Sequence, residues 1–137
     1  MIKRATADDL DTVVRLGTDF HAYSPWRDDP LDPEAFRVFL GGVIDNGAVF
    51  LCGESMILGA LVPLWFNPSV VIAFEVGWWA PDGNGRKVRE AFEAWAKENG
   101  ANGVQCAALA DDNLDRVERV YSRAGYQKNE VAFVKRF

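Results

Sequence analysis

Residues Phe74 to Val88 constrain the fold more than any other stretch of this chain. Phe74-Glu75-Val76-Gly77-Trp78-Trp79 has the β-branched and aromatic make-up of a strand. Ala80-Pro81-Asp82-Gly83-Asn84-Gly85 is turn chemistry, and Val88, Ala91, Phe92, Trp95 and Ala96 then recur at helical spacing. A strand feeding a Gly-x-Gly turn at a helix start aims several backbone N–H groups at one point, where the helix dipole presents its positive end. Such a point attracts a phosphate or pyrophosphate. Arg86 and Lys87 follow at once and add positive charge. Taken alone, Gly83-x-Gly85 reads equally well as a tight connection; the long strand, the strong helix and the two cations favour phosphate. The turn is not a Walker A loop, because no Gly-Lys-Ser/Thr follows it. The dinucleotide fingerprint is also poor, lacking its third glycine and its acidic partner on the next strand.

The rest of the chain alternates helical and strand patterns. Ile2 to Thr6 opens as a short strand, and Thr6 with Asp9 makes a capping box with Asp in the usual Glu place. Leu10, Val13, Val14 and Leu16 give a helical stripe through about Asp19. Phe20 to Pro30, with Pro25 and Pro30, reads as a loop or broken helix. Asp32-Pro33-Glu34 starts a second helix, with Asp as N-cap and Pro at the first helical position, and Asn46-Gly47 ends it. Ala48 to Gly53 and Met56 to Trp65 are the arms of a hairpin with Glu54-Ser55 at its tip. Asn67-Pro68-Ser69 turns into a strand from about Val70 to Trp79. After the glycine turn and its helix come a strand at Gly103 to Leu109, a helix marked by Leu114, Val117, Val120, Tyr121 and Ala124, and a final strand from Tyr126 to Phe137. The order β-α-α-β-β-β-α-β-α-β implies a layered α/β arrangement.

The chain has 137 residues, which fits one domain over 1–137, large enough to bury roughly two-thirds of its unfolded surface. Its net charge of −5 makes it a poor holder of nucleic acid. Cys52 and Cys106 lie in apolar stretches and read as small buried hydrophobes, which suits a reducing compartment. No apolar run approaches the roughly 20 residues that cross a membrane. A cytoplasmic protein with no membrane partner is therefore expected.

Chemistry-bearing residues are few. Glu75 stands in an apolar strand, either facing outward or acting as a general base with a raised pKa. Tyr121, on a helix with Val117 and Val120 facing the core, is a rim tyrosine or a proton donor beside a bound ligand. His21 is the only histidine, and with two separated cysteines no metal site is expected. No Gly-x-Ser-x-Gly elbow supports a serine hydrolase.

Together these residues resemble the GCN5-related N-acetyltransferase (GNAT) family over nearly the whole chain, and look closest to its short phage and bacterial members. Gly83-Asn84-Gly85 matches the second half of that family's Arg/Gln-x-x-Gly-x-Gly/Ala motif, and in that register Ala80 replaces the Arg/Gln. Asn113, Tyr121 and Gly125-Tyr126 match its later motif. The resemblance implies a mixed, mostly antiparallel sheet flanked by helices and direct transfer of acetyl from acetyl-CoA to an amine of a small molecule or peptide. It implies cofactor contacts from Val76, Gly77, Trp78, Trp79, Gly83, Asn84, Gly85, Arg86, Lys87 and Asn113. Glu75 would be the base, and Tyr121 would touch the cofactor and protonate the leaving thiolate. His21, Tyr23, Trp26, Asp28 and Trp65 would wall the acceptor pocket, and exposed hairpin aromatics are compatible with a homodimer. Ala80 leaves a second reading open: a non-catalytic acyl-CoA-binding, regulatory or host-interaction protein on the same fold.

Overall fold

Thr6 and Asp9 start the first helix in the computed structural model, which describes all 137 residues. The Asp9 carboxylate accepts the Thr6 backbone N–H at 2.8 Å, as the capping box requires. A 3-10 turn at Ala7–Asp9 then leads into α1 (Leu10–Tyr23). This helix runs past the expected end near Asp19, so Phe20, His21 and Tyr23 ride on its last turn instead of a loop. Pro25 disfavours the helical conformation for Ser24, which is extended. Helix α2 (Pro33–Asn46) begins as expected: the Asp32 side chain accepts the Ala35 N–H at 3.0 Å.

The chain forms two compact units, Met1–Ala107 and Ala108–Phe137. In the first, β1 (Lys3–Arg4), β2 (Ala48–Cys52), β3 (Ser55–Leu64), β4 (Asn67–Trp79) and β5 (Gly103–Gln105) lie side by side in that order, with α3 (Gly85–Glu98) between β4 and β5. The pairings are antiparallel except β4 with β5, which is parallel and needs α3 as its crossover. Strand β4 starts earlier than the sequence suggests, because Trp65-Phe66 makes the turn. Strand β5 stops well short of the expected Leu109.

Both faces of the sheet are covered. Val49, Leu51, Met56 and Leu58 face α1 and α2 and pack on Val13, Leu16, Leu40, Val43 and Ile44. The alternate residues Ala48, Phe50, Cys52 and Ile57 face α3 and pack on Val88, Phe92 and Trp95. Strand β2 is therefore buried throughout and reads as a continuous apolar run. Phe92 has no exposure, and burying such a ring contributes about 2–3 kcal/mol. Of the two free cysteines, Cys52 is buried as expected, whereas Cys106 is half-buried.

In the second unit, Asp111 accepts the Asn113 N–H at 2.8 Å and starts α4 (Leu114–Arg123). Gly125, at φ +90°, ends it in the left-handed conformation that glycine adopts without strain. The final strand expected over Tyr126–Phe137 is not formed: residues 126–137 carry neither helix nor strand. Val131, Phe133, Val134 and Phe137 are all exposed. Val131, Phe133 and Phe137 fall on one side of an alternating pattern and Val134 on the other, but a strand pattern without a ladder partner does not make a strand. The element order is thus β-α-α-β-β-β-α-β-α. No helix is long and apolar enough to cross a membrane.

Candidate functional site

Two irregularities distinguish the end of β4. First, Gly59 pairs with Glu75 but Leu58 pairs with Gly77, so Val76 is the extra residue of a β-bulge and is 51% exposed. Second, the parallel ladder to β5 stops at Phe74–Gln105. From Glu75 to Trp79, β4 is laddered on its β3 side alone. Such an edge can pair with an extended ligand.

Glu75 sits where the ladder stops. Gly59, directly opposite it, faces Phe92 of α3, and Ala73, two residues earlier, belongs to the same α3-side core. Glu75 therefore lies on the α3 face. Its Oε1 accepts the Ala107 N–H at 3.1 Å, so a side chain ties β4 to the chain just beyond β5. The residue is half-buried, and desolvation pushes its carboxyl up to about 7, against the opposing pull of that hydrogen bond. A carboxyl near 7 is suited to accepting a proton at neutral pH.

The last two residues of β4 diverge. Trp79 faces α1, its ring 5.9 Å from Phe20 and 5.2 Å from Tyr23. Trp78 faces α3 and donates its indole N–H to the Gly85 carbonyl at 3.2 Å. Gly85 is required by this approach: a Cβ there would lie 2.9 Å from the Ala80 Cβ and 3.3 Å from the Trp78 ring. The N–H groups of Gly85, Arg86 and Lys87 form the first turn of α3 and point out of its end. Arg86 is engaged by Glu90 at 2.7 Å, while Lys87 is exposed.

The turn that precedes α3 is held by a residue the sequence reading passed over. The Asp82 carboxylate accepts the Glu54 N–H at 2.7 Å, the Ser55 hydroxyl, the Asn84 side-chain amide at 3.0 Å and the Asn84 N–H at 3.3 Å. These donors, the Ser55 hydroxyl foremost, hold its pKa down at about 2. The signal was present as Pro81-Asp82-Gly83, a turn sequence whose Asp bonds the backbone two residues on. One turn into α3, Arg89 is 5% exposed with no hydrogen bond to Nε or Nη1, and Glu93 is 3.8 Å away.

The expected acceptor wall is only partly assembled. His21, Trp26, Asp29, Leu31 and Phe36 line an open, largely apolar surface depression of about 400 Å³. His21 Nε2 donates to the Asp29 carbonyl at 2.9 Å, which fixes the protonated ring nitrogen. Tyr23 stacks on Trp79, and Asp28 is exposed outside the lining of the depression. Trp65 is not brought to this group. It follows the far end of β3, nine residues along from Met56, the partner of Trp79, or roughly 30 Å at strand rise. It is 92% exposed there, edge-on to Phe66. In the second unit, the Tyr121 ring lies 5.1 Å from Tyr126, and Asn113 is the N-cap residue of α4. No group of His, Cys, Asp and Glu is arranged to hold a metal ion.

No family model matches the sequence, and no curated protein matches it. Solved structures do match over the full chain. The aminoglycoside N-acetyltransferase AAC(6')-Iy, solved with the bisubstrate analogue CoA-S-monomethyl-acetylneamine, is 12% identical with a TM-score of 0.73, covering 100% of this chain and 97% of that one. A protein from Clostridium acetobutylicum, described as a predicted acetyltransferase and solved with acetyl-CoA, is 12% identical with a TM-score of 0.74, covering 99% of this chain and 95% of that one. A transcriptional regulator from Bacillus halodurans C-125 is 18% identical with a TM-score of 0.71, covering 100% of this chain and 99% of that one. The chain therefore has the GNAT fold, as the motif resemblance implied. At these identities the likeness defines the fold and leaves activity to be argued from the site.

Proposed function

We propose that this chain is a GNAT-type N-acetyltransferase, one domain over 1–137, that transfers acetyl from acetyl-CoA to an amine. The observation that carries the reading is the end of β4, where a bulge and a one-sided ladder adjoin a helix N-terminus. The fit to the donor is chemical. The N–H groups of Gly85, Arg86 and Lys87 and the exposed Lys87 ammonium suit a pyrophosphate. Gly83 and Asn84 shape that turn, and Asn113 is assigned to the pantetheine arm from its motif position. The edge of β4 from Val76 through Gly77 and Trp78 to Trp79, beyond the last β5 pairing, suits an amide-bearing arm. Acetyl-CoA supplies an acetyl group activated as a thioester.

Each remaining role falls to a residue of the chain. Glu75 takes the proton that the amine loses, directly or through one water, and its carboxyl near 7 is poised for this. The backbone N–H of the bulge offers a donor to the carbonyl oxygen as charge develops on it. Tyr121 is assigned the proton returned to the leaving thiolate, on the strength of its motif position. The open apolar depression beside His21 and Trp26, lined by residues of α1, α2 and the loop between them, suits the apolar body of an acceptor, with Asp28 and Asp29 close in sequence. The neighbour solved with an acetylneamine conjugate supports a small-molecule amine as acceptor.

The test is calorimetric titration with CoA followed by an amine panel with acetyl-CoA. Micromolar binding and turnover that drops at least ~10-fold in Tyr121→Phe are expected. The non-catalytic reading is motivated by Ala80, and it gains if CoA binds but no amine is acetylated. A flat titration to millimolar CoA defeats both.

A further inference from the structure

We propose that Asp82 is a positioning residue for the phosphate-binding turn: it holds Gly83-Asn84-Gly85 against the β2–β3 hairpin and so aims the first N–H groups of α3 at the donor's pyrophosphate. The inference rests on the acetyl-CoA reading above.

Three features of the chain converge on this one carboxylate. The hairpin tip presents it with two donors, the Glu54 N–H at 2.7 Å and the hydroxyl of Ser55, which has no exposure at all. The turn presents two more, both from Asn84, the residue at the N-cap position of α3. Gly53 makes room for the arrangement: it sits at φ +58°, and a Cβ there would collide with the Asp82 carboxylate. The hairpin is itself fixed from the other side, because Arg15 grips the Glu54 carboxylate through paired contacts of 2.7 and 3.2 Å. Asp82 thus couples an already anchored hairpin to the turn.

A negative charge beside an anion site is unfavourable unless its field is consumed. Here the donors from the hairpin and from Asn84 satisfy the Asp82 oxygens, and the residue is exposed, so solvent screens its charge as well. An acceptor of four bonds is what the position demands, and only an ionised carboxylate offers it with both oxygens. Ala80 has no polar group to brace the loop, and Asp82 supplies the brace from within the turn.

The experiment is calorimetric titration of CoA, well below the melting temperature, into wild type, Asp82→Ala, Asp82→Asn and Ser55→Ala. We expect the Kd for CoA to rise ~10-fold or more in Asp82→Ala, since small misplacements of binding groups cost factors of this order. Asp82→Asn retains one acceptor oxygen and should recover part of the loss, while Ser55→Ala, which removes a single donor, should fall between it and wild type. If Asp82→Ala does not fold, the other two variants carry the same comparison. A lowered melting temperature with wild-type CoA affinity in the folded variants would overturn the proposal, because a clamp that only stabilises the fold gives that result. Wild type that fails to bind CoA would overturn this inference and the acetyl-CoA reading together.

Discussion

Glu75 shows how one residue can serve both structure and chemistry. Its carboxyl bridges to Ala107 where backbone pairing ends, and burial raises its pKa from 4.5 to about 7. Because the folded-state value lies above the unfolded one, its contribution to stability is complete below pH 4.5 and is lost as pH rises through about 7. Glu75→Gln, which keeps an acceptor oxygen for Ala107, should therefore gain about 1–2 kcal/mol over wild type at pH 8 relative to pH 4.5. Chemical denaturation at the two pH values checks this; a pH-independent difference would mean that the carboxylate is not desolvated. In an amine acetylation assay, wild-type activity should rise through pH 7 and the variant should be slower by ~100-fold with that limb flattened. Arg89 poses the opposite problem, a buried guanidinium whose Nε and Nη1 make no hydrogen bond, with the Glu93 carboxylate 3.8 Å from Nε. Burying such a group is costly, and because Glu93 is partly exposed and can be solvated when left alone, an apolar side chain of similar length should be neutral or stabilising by ~1 kcal/mol. Arg89→Met should melt at or above the wild-type temperature. A fall of several degrees would show that the Glu93 contact outweighs the desolvation cost.

At the scale of elements, the segment from β4 through the turn into α3 was legible from its residues because each local preference agrees with the fold. The strand composition, the glycines and the helical stripe all fall where the structure puts them. Gly85 carries the tightest part of the agreement. Adding a methyl at 2.9 Å from Ala80 and 3.3 Å from the Trp78 ring would push the helix start off the strand. Gly85→Ala should cost about 1–3 kcal/mol by overpacking and weaken CoA binding at the same time. A variant that kept both stability and affinity would mean that the strand and helix can part without consequence. What the sequence did not disclose are relations between distant residues. Nothing local says that Asp82 meets Ser55, since that contact needs the hairpin folded back to the turn. Nor does spacing place Val76 at a bulge, because the bulge depends on the β3 register. The α1 extension was missed for a milder reason: Pro25 permits helix up to the residue before Ser24, and the aromatic run gave no stop signal of its own.

For the whole molecule, the two units differ in how their sequence and structure agree. The first closes two cores on one sheet, and its strands find partners as their patterns imply. The second has α4 as its one regular element, and the tail beyond it has the composition of a strand but no ladder. Composition reports a capacity to pair; only a neighbouring edge in register turns that capacity into hydrogen bonds, and Tyr126–Phe137 shows the difference. Amide hydrogen exchange reads this directly, because protection follows hydrogen bonding and burial. Amides of β2 and β3 should be the slowest in the chain, those after Tyr126 should exchange within the earliest time points, and CoA should slow exchange selectively around Gly85 to Lys87. Protection of the tail equal to that of β2 would contradict a tail that carries no strand ladder. If that protection then faded on dilution, the missing ladder partner would be a second copy of the chain, and the exposed Val131, Phe133 and Phe137 would be the interface it covers.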